Sequence, residues 1–307
     1  MNLIGQRITF PAADGYPLGG FLWRHAAEDR PRTFVLICSA TSVRCRYYAR
    51  FASYLFENGF NVATFDYRGI GESRPAYLRR LDADWADWGE QDIEGAIGYI
   101  CKTHEPAQLH AVAHSIGGFA LGLAPSAVRL SRILTLGSQF AYWRDYAPKH
   151  RMTMYFKWHV VMPLLTGLFG YFPAKQLGWM EDTPAGVASD WARMGPRFEL
   201  SIRRRLQSPA RTRPDELTAR LARVTAPILS LAATDDPYAT PKAVERLLQY
   251  YVASSSIHVP LEPAMTGRDA IGHFAYFHER FRETLWPVFL RWLSDGLSPT
   301  DTKNLPS

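Results

Sequence analysis

LHAVAHSIGGFALG, residues 109–122, places a serine between a histidine and a pair of glycines. The apolar residues before Ser115 are typical of a buried strand, and the residues after it have the composition of a short helix. The stretch therefore predicts a strand that ends in a sharp turn and continues into a helix. Ser115 at that turn is either an exposed nucleophile or a hydroxyl that caps an ordinary helix.

Attack on an acyl carbon needs an exposed hydroxyl, a nearby base and backbone N–H groups that receive the developing negative charge. A strand-to-helix turn supplies that geometry. Its usual motif is Gly-x-Ser-x-Gly, because the helix packs closely against neighbouring strands. Gly117 and Gly118 satisfy the positions after the serine, whereas Ala113 replaces the first glycine and adds one methyl group. The motif alone leaves both interpretations of Ser115 open.

The order of the other reactive residues favours catalysis. In hydrolases with such a turn, an acid and then a histidine follow the serine, each on a loop after a later strand. Asp236 follows an apparent strand and directly precedes a proline, and Asp235 is the alternative acid. Of the later histidines, His258 lies in an apparent strand and His278 in the predicted last helix. His273 follows a glycine in a loop and is the favoured base.

Short apolar runs rich in β-branched residues alternate with segments of helical period, which predicts parallel β-α-β units and an open α/β sheet. Residues 6–23 predict a hairpin, and residues 274–292 predict a last helix. From 140 to 214 the chain is rich in aromatic residues, methionine and arginine and has no strand period. We therefore expect a helical cap or lid at 140–214, inserted into a discontinuous core of residues 1–139 and 215–307.

The chain has 307 residues, of which 47% are hydrophobic, so it can bury one large core. Its formal charge is +6, but the only dense basic run is residues 201–216, which favours a solvated helix face over a nucleic-acid site. Residues 154–172 form the most apolar long window. Lys157, His159 and Pro163 interrupt it, so we expect buried or pocket-lining helices, with a surface that dips into lipid as the second interpretation.

Cys38, Cys45 and Cys101 form no Cys-x-x-Cys pair, and the first residues lack the long apolar core of a secretion signal, which favours the reducing cytoplasm. No His, Cys and Asp cluster has metal-ligand spacing, so neither a metal nor another cofactor is expected. The expected partner is a small-molecule acyl substrate rather than nucleic acid, and membrane contact is the less favoured option. The oligomeric state does not follow from the sequence.

Four segments together, FDYRGIGESRP, AHSIGG, TDDPYATP and IGHFAYF, resemble the α/β-hydrolase superfamily, near its serine aminopeptidase-like and lysophospholipase-like branches. Nearly the whole chain is similar to a bacterial group of predicted α/β hydrolases. The resemblance implies an α/β fold with a mostly parallel eight-stranded sheet, flanking helices and reacting side chains at the carboxyl ends of the strands. Carried over by position, Ser115 is the nucleophile, Asp236 orients the imidazole, and His273 is the general base and then acid.

The resemblance also implies an oxyanion hole. One donor is the N–H of Ile116, and the other comes from the loop after the strand near residues 33–38, where Thr41 is the first choice and Ala40 the second. Aromatic residues of the expected cap are candidates for an apolar acyl pocket as a set, although core packing between cap helices is the favoured role for any one of them. These candidates are Tyr142, Trp143, Trp158, Phe172 and Trp179.

These expectations describe a cofactor-free serine hydrolase, a carboxylesterase-like enzyme that cleaves a carboxylic ester through an acyl-enzyme on Ser115. A thioester or a lipid-like ester is a further substrate option. Acyl transfer would use the same residues, and amide cleavage would fit the aminopeptidase-like relatives. A binding protein that keeps the fold without the chemistry is the non-enzyme alternative. The natural substrate and its acyl-chain length do not follow from the sequence.

Overall fold

The computed structural model describes residues 5–26, 32–202 and 212–298, so the arginines at 203–205 lie outside the described residues. The strands of the described residues are β1 (Gln6–Pro11), β2 (Pro17–Trp23), β3 (Phe34–Cys38), β4 (Asn61–Phe65), β5 (Leu109–His114), β6 (Arg132–Leu136), β7 (Tyr171–Phe172), β8 (Thr183–Pro184), β9 (Ile228–Ala233) and β10 (Ser256–Leu261).

The α-helices of the same residues are α1 (Ala49–Glu57), α2 (Trp85–Asp87), α3 (Glu94–His104), α4 (Gly117–Leu123), α5 (Arg151–Tyr155), α6 (Met162–Phe169), α7 (Ala185–Arg193), α8 (Pro214–Arg223), α9 (Pro241–Leu248) and α10 (Leu285–Asp295). Two π-helical turns, Trp88–Ile93 and Phe156–Val161, join α2 to α3 and α5 to α6. Short 3₁₀ turns lie at Cys45–Tyr48, Gly71–Ser73, Leu78–Arg80, Pro125–Arg129, Trp143–Asp145, Phe198–Leu200, Pro263–Thr266, Ala275–Phe277 and Glu279–Phe281.

The main sheet has eight strands in the order β1-β2-β4-β3-β5-β6-β9-β10. The hairpin β1–β2 is antiparallel and β2 pairs antiparallel with β4, whereas the neighbours in the series β4-β3-β5-β6-β9-β10 pair in parallel. Strands β3, β4, β5 and β9 are buried along their full length, as expected for parallel strands covered on both faces. The predicted fold class is therefore confirmed.

Helices cover both faces of the sheet. Alternate residues of β3 enter different cores, with Leu36 on one side and Val35 and Ile37 on the other. Apolar residues of α3, α4 and α8 belong to the first core, and those of α1 and α10 belong to the second. This layering leaves the carboxyl ends of the parallel strands as the edge where loops gather.

Between β6 and β9 the described chain up to residue 202 is mainly helical. One continuous helix runs from α5 through the π turn to α6, and it packs on α7 through Trp158 and Trp191, whose rings stack 4.4 Å apart. A short antiparallel ribbon, β7 with β8, also lies in this segment and was not predicted. Within the described residues, none of the helices has the length and apolar character that crossing a membrane requires.

The last helix begins later than predicted. α10 starts at Leu285, and the residues from 275 to 281 form two separate 3₁₀ turns. Pro287 explains the difference, because a proline within a helix interior clashes with the carbonyl four residues earlier and lacks an N–H. A start at Leu285 places Pro287 in the first turn, where its missing N–H breaks no helical hydrogen bond. His278 consequently lies between the two 3₁₀ turns and not in a helix.

Candidate active site

Ser115 lies on the turn between β5 and α4, with a backbone φ of +55° that side-chain-bearing residues rarely adopt. Its N–H donates to the carbonyl of Leu136 on the neighbouring strand at 3.0 Å. A Cβ on Gly117 would come within 2.6 Å of the Cys38 carbonyl oxygen, and one on Gly118 within 2.5 Å of a serine hydroxyl. The close approach of helix and strands therefore requires both glycines.

Ala113 occupies the position where the usual motif has glycine. It lies inside β5, fully buried between Cys38 of β3 and Thr135 of β6. A strand residue between two paired neighbours points its Cβ out of the plane of the sheet, and Ala113 contributes its methyl group to the core on the side of α4. The extra methyl group is therefore accommodated without moving Ser115.

His273 connects Ser115 to Asp236. Its Nε2 lies 2.8 Å from Ser115 Oγ, and its Nδ1 lies 2.7 Å from Asp236 Oδ2. An ionised carboxylate only accepts hydrogen bonds, so Nδ1 carries the proton and Nε2 is free to accept the serine O–H. The three side chains are nearly buried but come from three separate loops at the carboxyl edge of the sheet.

Asp236 is held in its ionised form. Burial raises the pKa of its carboxyl, but the neighbouring His273 and the backbone N–H groups of Ala239 and Tyr238 outweigh burial, so the pKa lies below its ordinary value. The N–H bonds to Oδ1 also fix the carboxylate, at 2.8 Å from Tyr238 and 3.0 Å from Ala239. Asp236 can therefore orient the imidazole and stabilise a positive charge on it.

Asp235, the alternative acid, does not contact His273. Its carboxylate accepts the N–H groups of Ile271 and Gly272 at 3.0 Å each. These residues directly precede the histidine, so Asp235 ties the histidine loop to the end of β9. The two adjacent aspartates thus have different partners.

Two backbone N–H groups beside Ser115 donate no hydrogen bond within the described residues, those of Ile116 and Thr41. Both residues line the cavity next to the serine. The N–H of Ala40, the second choice from the sequence, already donates to the Tyr48 hydroxyl at 2.9 Å. Thr41 is therefore better suited than Ala40 to bind an oxyanion together with Ile116.

A buried hydrogen-bond chain that the sequence did not indicate supports this arrangement. The Tyr48 hydroxyl, which accepts from Ala40, lies 2.9 Å from Nδ1 of His114, and His114 Nε2 lies 2.8 Å from the carbonyl oxygen of His273. Because a carbonyl only accepts, Nε2 of His114 carries the proton and Nδ1 accepts from the tyrosine. The chain of hydrogen bonds joins the loop after β3 to the backbone of His273.

A cavity of about 380 Å³, counting the space that opens to solvent, surrounds Ser115. Its walls combine apolar side chains with a few polar groups. The lining residues are Ala40, Thr41, Trp85, Ser115, Ile116, Gln139, Ala141, Met180, Trp191, Tyr238, His273 and Phe274. Among these, Trp85, Trp191 and Tyr238 were not singled out from the sequence, since their neighbours in the fold are distant along the chain.

The five aromatic candidates are not among the side chains that line this cavity, and each packs against other side chains of the described residues, which is the alternative role that the sequence favoured. Trp158, Phe172 and Trp179 contact one another, with ring centres 5.6 to 6.4 Å apart. Trp143 packs on a tyrosine ring, and Tyr142 lies under the guanidinium of an arginine. Aromatic residues of the helical segment pack mainly on each other, because mutual burial removes the most apolar surface from water.

The family model described as serine aminopeptidase, S33, matches residues 29–259, well over half of the chain. Ser115 and Asp236 lie inside the matched residues, and His273 lies after them. No protein of curated function matches the sequence.

Several solved structures share the fold. The chain is 12% identical to the esterase Pf2001 of Pyrococcus furiosus, covering 94% of this chain and 90% of that one with a TM-score of 0.57. For a thermophilic esterase from Thermogutta terrifontis, solved with malate bound, the identity is 16%, the coverage 94% and 98%, and the TM-score 0.57.

A puromycin hydrolase is also similar, at 17% identity and a TM-score of 0.56 over 98% of this chain. This chain spans only 40% of the length of that enzyme. Identities this low establish the fold alone, whereas the family follows from the sequence model. Because that model matches most of its length, the chain belongs to the serine aminopeptidase S33 family of α/β hydrolases.

Proposed function

We propose that the protein is a serine hydrolase that cleaves a carboxylic ester through an acyl-enzyme on Ser115. The observation that carries this proposal is the hydrogen-bonded series from Ser115 through His273 to Asp236, with distances of 2.8 and 2.7 Å. Two uncommitted N–H groups lie beside the serine. A binding protein has no physical need for these groups to be joined in this order.

In the first half of the reaction, Ser115 Oγ attacks the acyl carbon and its proton moves to Nε2 of His273. The carbonyl oxygen becomes an oxyanion that accepts hydrogen bonds from the N–H groups of Ile116 and Thr41. The intermediate then breaks its bond to the alcohol oxygen, which takes the proton from His273 as it leaves. The acyl group stays on Ser115 as an ester.

In the second half, a water molecule gives a proton to His273 and attacks the acyl-enzyme. A second oxyanion forms at the same N–H groups, and its collapse returns the proton to Ser115 and releases the acid. Asp236 holds the tautomer of His273 throughout and stabilises the imidazolium by its negative charge. An acceptor other than water at this stage would make the reaction an acyl transfer.

The cavity favours a neutral substrate with a small apolar acyl group. Its lining within the described residues contains no Asp or Glu, and its largest side chains are the aromatic ones of Trp85, Trp191, Tyr238 and Phe274. An aminopeptidase must hold the ammonium group of a peptide N-terminus, and a buried ammonium needs a paired charge. Amide cleavage remains the second candidate because the family description names aminopeptidases.

We further propose that residues 140–214 act as a cap over the site, as the sequence predicts. Support comes from Met180 and Trp191, which lie in this segment and line the cavity. The core of residues 1–139 and 215–307 supplies the three reacting side chains.

We also propose that the protein acts in the cytoplasm, in keeping with three free cysteines in the described residues.

The test is fluorophosphonate labelling and hydrolysis of p-nitrophenyl esters of increasing acyl length, for the native protein and Ser115→Ala. We expect labelling of the native protein only, turnover that is greatest with short acyl groups, and a loss on the order of 10⁶-fold in the variant. Equal labelling of both proteins would remove Ser115 from the mechanism. A native protein without labelling or turnover would leave the fold as a binding scaffold.

Two further assays distinguish ester hydrolysis from amide cleavage and from acyl transfer. Faster turnover of an alanine p-nitroanilide with a free amino group than of p-nitrophenyl esters would favour the aminopeptidase candidate. In an ester assay with an added amine acceptor, an amide product formed in preference to free acid would indicate acyl transfer. We expect free acid as the main product and poor turnover of the anilide.

A further inference from the structure

The described residues expose an unusual concentration of large apolar side chains on the helical segment. Of fifteen large apolar residues exposed among the described residues, seven lie between residues 152 and 179. Single exposed apolar residues are ordinary, but a cluster marks a surface that binds something. The seven, named here the apolar face, are Met152, Phe156, Leu164, Leu168, Phe169, Leu177 and Trp179, with exposed fractions from 37% to 76%.

Met152, Phe156, Leu164 and Leu168 are spaced 4, 8 and 4 residues apart along the continuous helix of α5 and α6. In a regular α-helix, positions four residues apart differ by one turn plus about 40°. Residues at these spacings would therefore drift away from a single face of the helix. The π turn Phe156–Val161 holds more residues per turn and takes back part of this rotation. Met152 and Phe156 therefore share a side of the helix with Leu164 and Leu168.

The opposite side of the same helix is buried. Met154, Trp158 and Met162 are at most 7% exposed, and Trp158 stacks on Trp191, which lines the cavity beside Ser115. The helix thus has two apolar sides, one packed on Trp191 and one without a protein partner in the described chain. A helix that is apolar all round is normally covered on every side.

The charged side chains of the stretch that carries the apolar face all have one sign. Residues 146–180 contain Lys149, Arg151, Lys157 and Lys175 and no Asp or Glu. Within the described part of the chain, none of these four cations lies in an ion pair. The ammonium of Lys157 lies 3.8 Å from the ring centre of Trp179, which is itself part of the apolar face. Apolar and aromatic groups are thus interspersed with unpaired cations.

We propose that the apolar face docks on the surface of an anionic lipid bilayer. Unpaired cations beside exposed apolar and aromatic residues match the anionic headgroups and the acyl boundary of such a surface. A second copy of this chain is a poorer occupant, because two such faces would bring like charges together. The docking does not depend on the proposed chemistry, although it would bring the cavity beside Ser115 close to lipid.

The test is flotation of the Ser115→Ala protein with vesicles of phosphatidylcholine alone and with added phosphatidylglycerol, since this variant cannot alter the lipid. We expect flotation with the anionic vesicles, little with the neutral ones, and weaker binding at high salt. Replacing Phe156, Leu164 and Leu168 together by Ser should lower binding at least about tenfold. The double variant Lys149→Glu with Lys175→Glu should lower it on anionic vesicles only.

The matched control replaces Val252 and Met265 by Ser, because both are exposed apolar residues outside the face. Circular dichroism and thermal unfolding establish that each variant is folded. The proposal is overturned if the parent protein does not float with anionic vesicles, or if the folded triple variant floats as well as its parent. It is also overturned if light scattering shows a dimer that the triple substitution dissociates while vesicle binding is unchanged.

Discussion

His114 lies directly before Ser115 but acts through the backbone of His273. Burial, and then the proximity of His273, lowers the pKa of His114 to about 3, so its ring stays neutral at ordinary pH. Its tautomer is fixed because one nitrogen donates to a carbonyl and the other accepts from Tyr48. We therefore regard His114 as a positioning residue that holds the histidine loop against the oxyanion loop.

Replacing His114 by Phe should lower kcat for a p-nitrophenyl ester about tenfold and leave KM nearly unchanged. The ring volume is kept, but the Tyr48 hydroxyl and the His273 carbonyl lose a buried partner, which costs about 1–3 kcal/mol for each group. His114→Gln can still donate to the carbonyl and should recover part of the rate. A loss expressed only in KM, or equal losses in both variants, would contradict a positioning role.

Gly137, directly after β6, lies against the side chains of Asp236 and His273. Its backbone φ is +58°, and an added Cβ would lie 2.9 Å from Asp236 Oδ2 and 3.2 Å from His273 Nδ1. Gly137→Ala should lower kcat by about 10- to 100-fold, because small misplacements of catalytic groups are costly. Gly98→Ala is the control, since its Cβ meets no atom within 4 Å. Equal kcat values for both variants would show that the pair tolerates the methyl group.

At the residue scale, motif and chain order were sufficient to select Ser115, Asp236 and His273, which the structure brings within hydrogen-bonding distance. Gly137 and His114 were not selected, because their roles depend on contacts with residues far away along the chain. Composition also failed to separate aromatic residues that line the cavity, such as Trp191, from those that pack together. That distinction depends on how the helices cross, which no local pattern specifies.

Among the structural elements, the loop after β9 carries two adjacent aspartates with different partners. Asp236→Ala should lower kcat by about 10⁴-fold, because His273 loses the group that orients and stabilises it. Asp235→Ala removes only the bonds to Ile271 and Gly272, so we expect a loss of about tenfold or less, with a lower unfolding temperature. Steady-state kinetics and thermal unfolding of both variants check this order. Equal losses in kcat would contradict the separate roles of the two aspartates.

The strands were easier to predict than the helices. A run such as FVLIC in β3 is apolar throughout because both faces of the strand are covered, and that pattern is visible locally. The start of α10 was misplaced because the apolar period continues before it, while a start at Leu285 keeps Pro287 in the first turn. The ribbon of β7 and β8 is two residues on each side and is too short to leave a period.

For the whole molecule, the eight-stranded order follows from rules that act on all elements together. Each parallel pair needs a crossover connection, and the side chains of Ser115, Asp236 and His273 meet because the parallel strands end at the same edge. This explains why a resemblance in four short segments was enough to anticipate the sheet. The volume and lining of the cavity depend on the helical segment, which those segments do not include.

Acid should destabilise the whole fold through buried neutral histidines. Burial lowers the pKa of His110 to about 4 and that of His114 to about 3, whereas an unfolded histidine titrates near 6.5. Below pH 6.5 the unfolded chain therefore binds protons that the folded chain does not. The free energy of unfolding must fall as the pH is lowered from 6.5 toward these folded values.

At pH 5 each of the two histidines should reduce the free energy of unfolding by about 2 kcal/mol relative to pH 7. Other groups also titrate in this range, so the comparison is between the native protein and His110→Gln. Urea unfolding at both pH values should give a pH-dependent loss that is about 2 kcal/mol smaller in the variant. The same loss in both proteins would mean that His110 becomes protonated without unfolding, which its position in the buried strand β5 opposes.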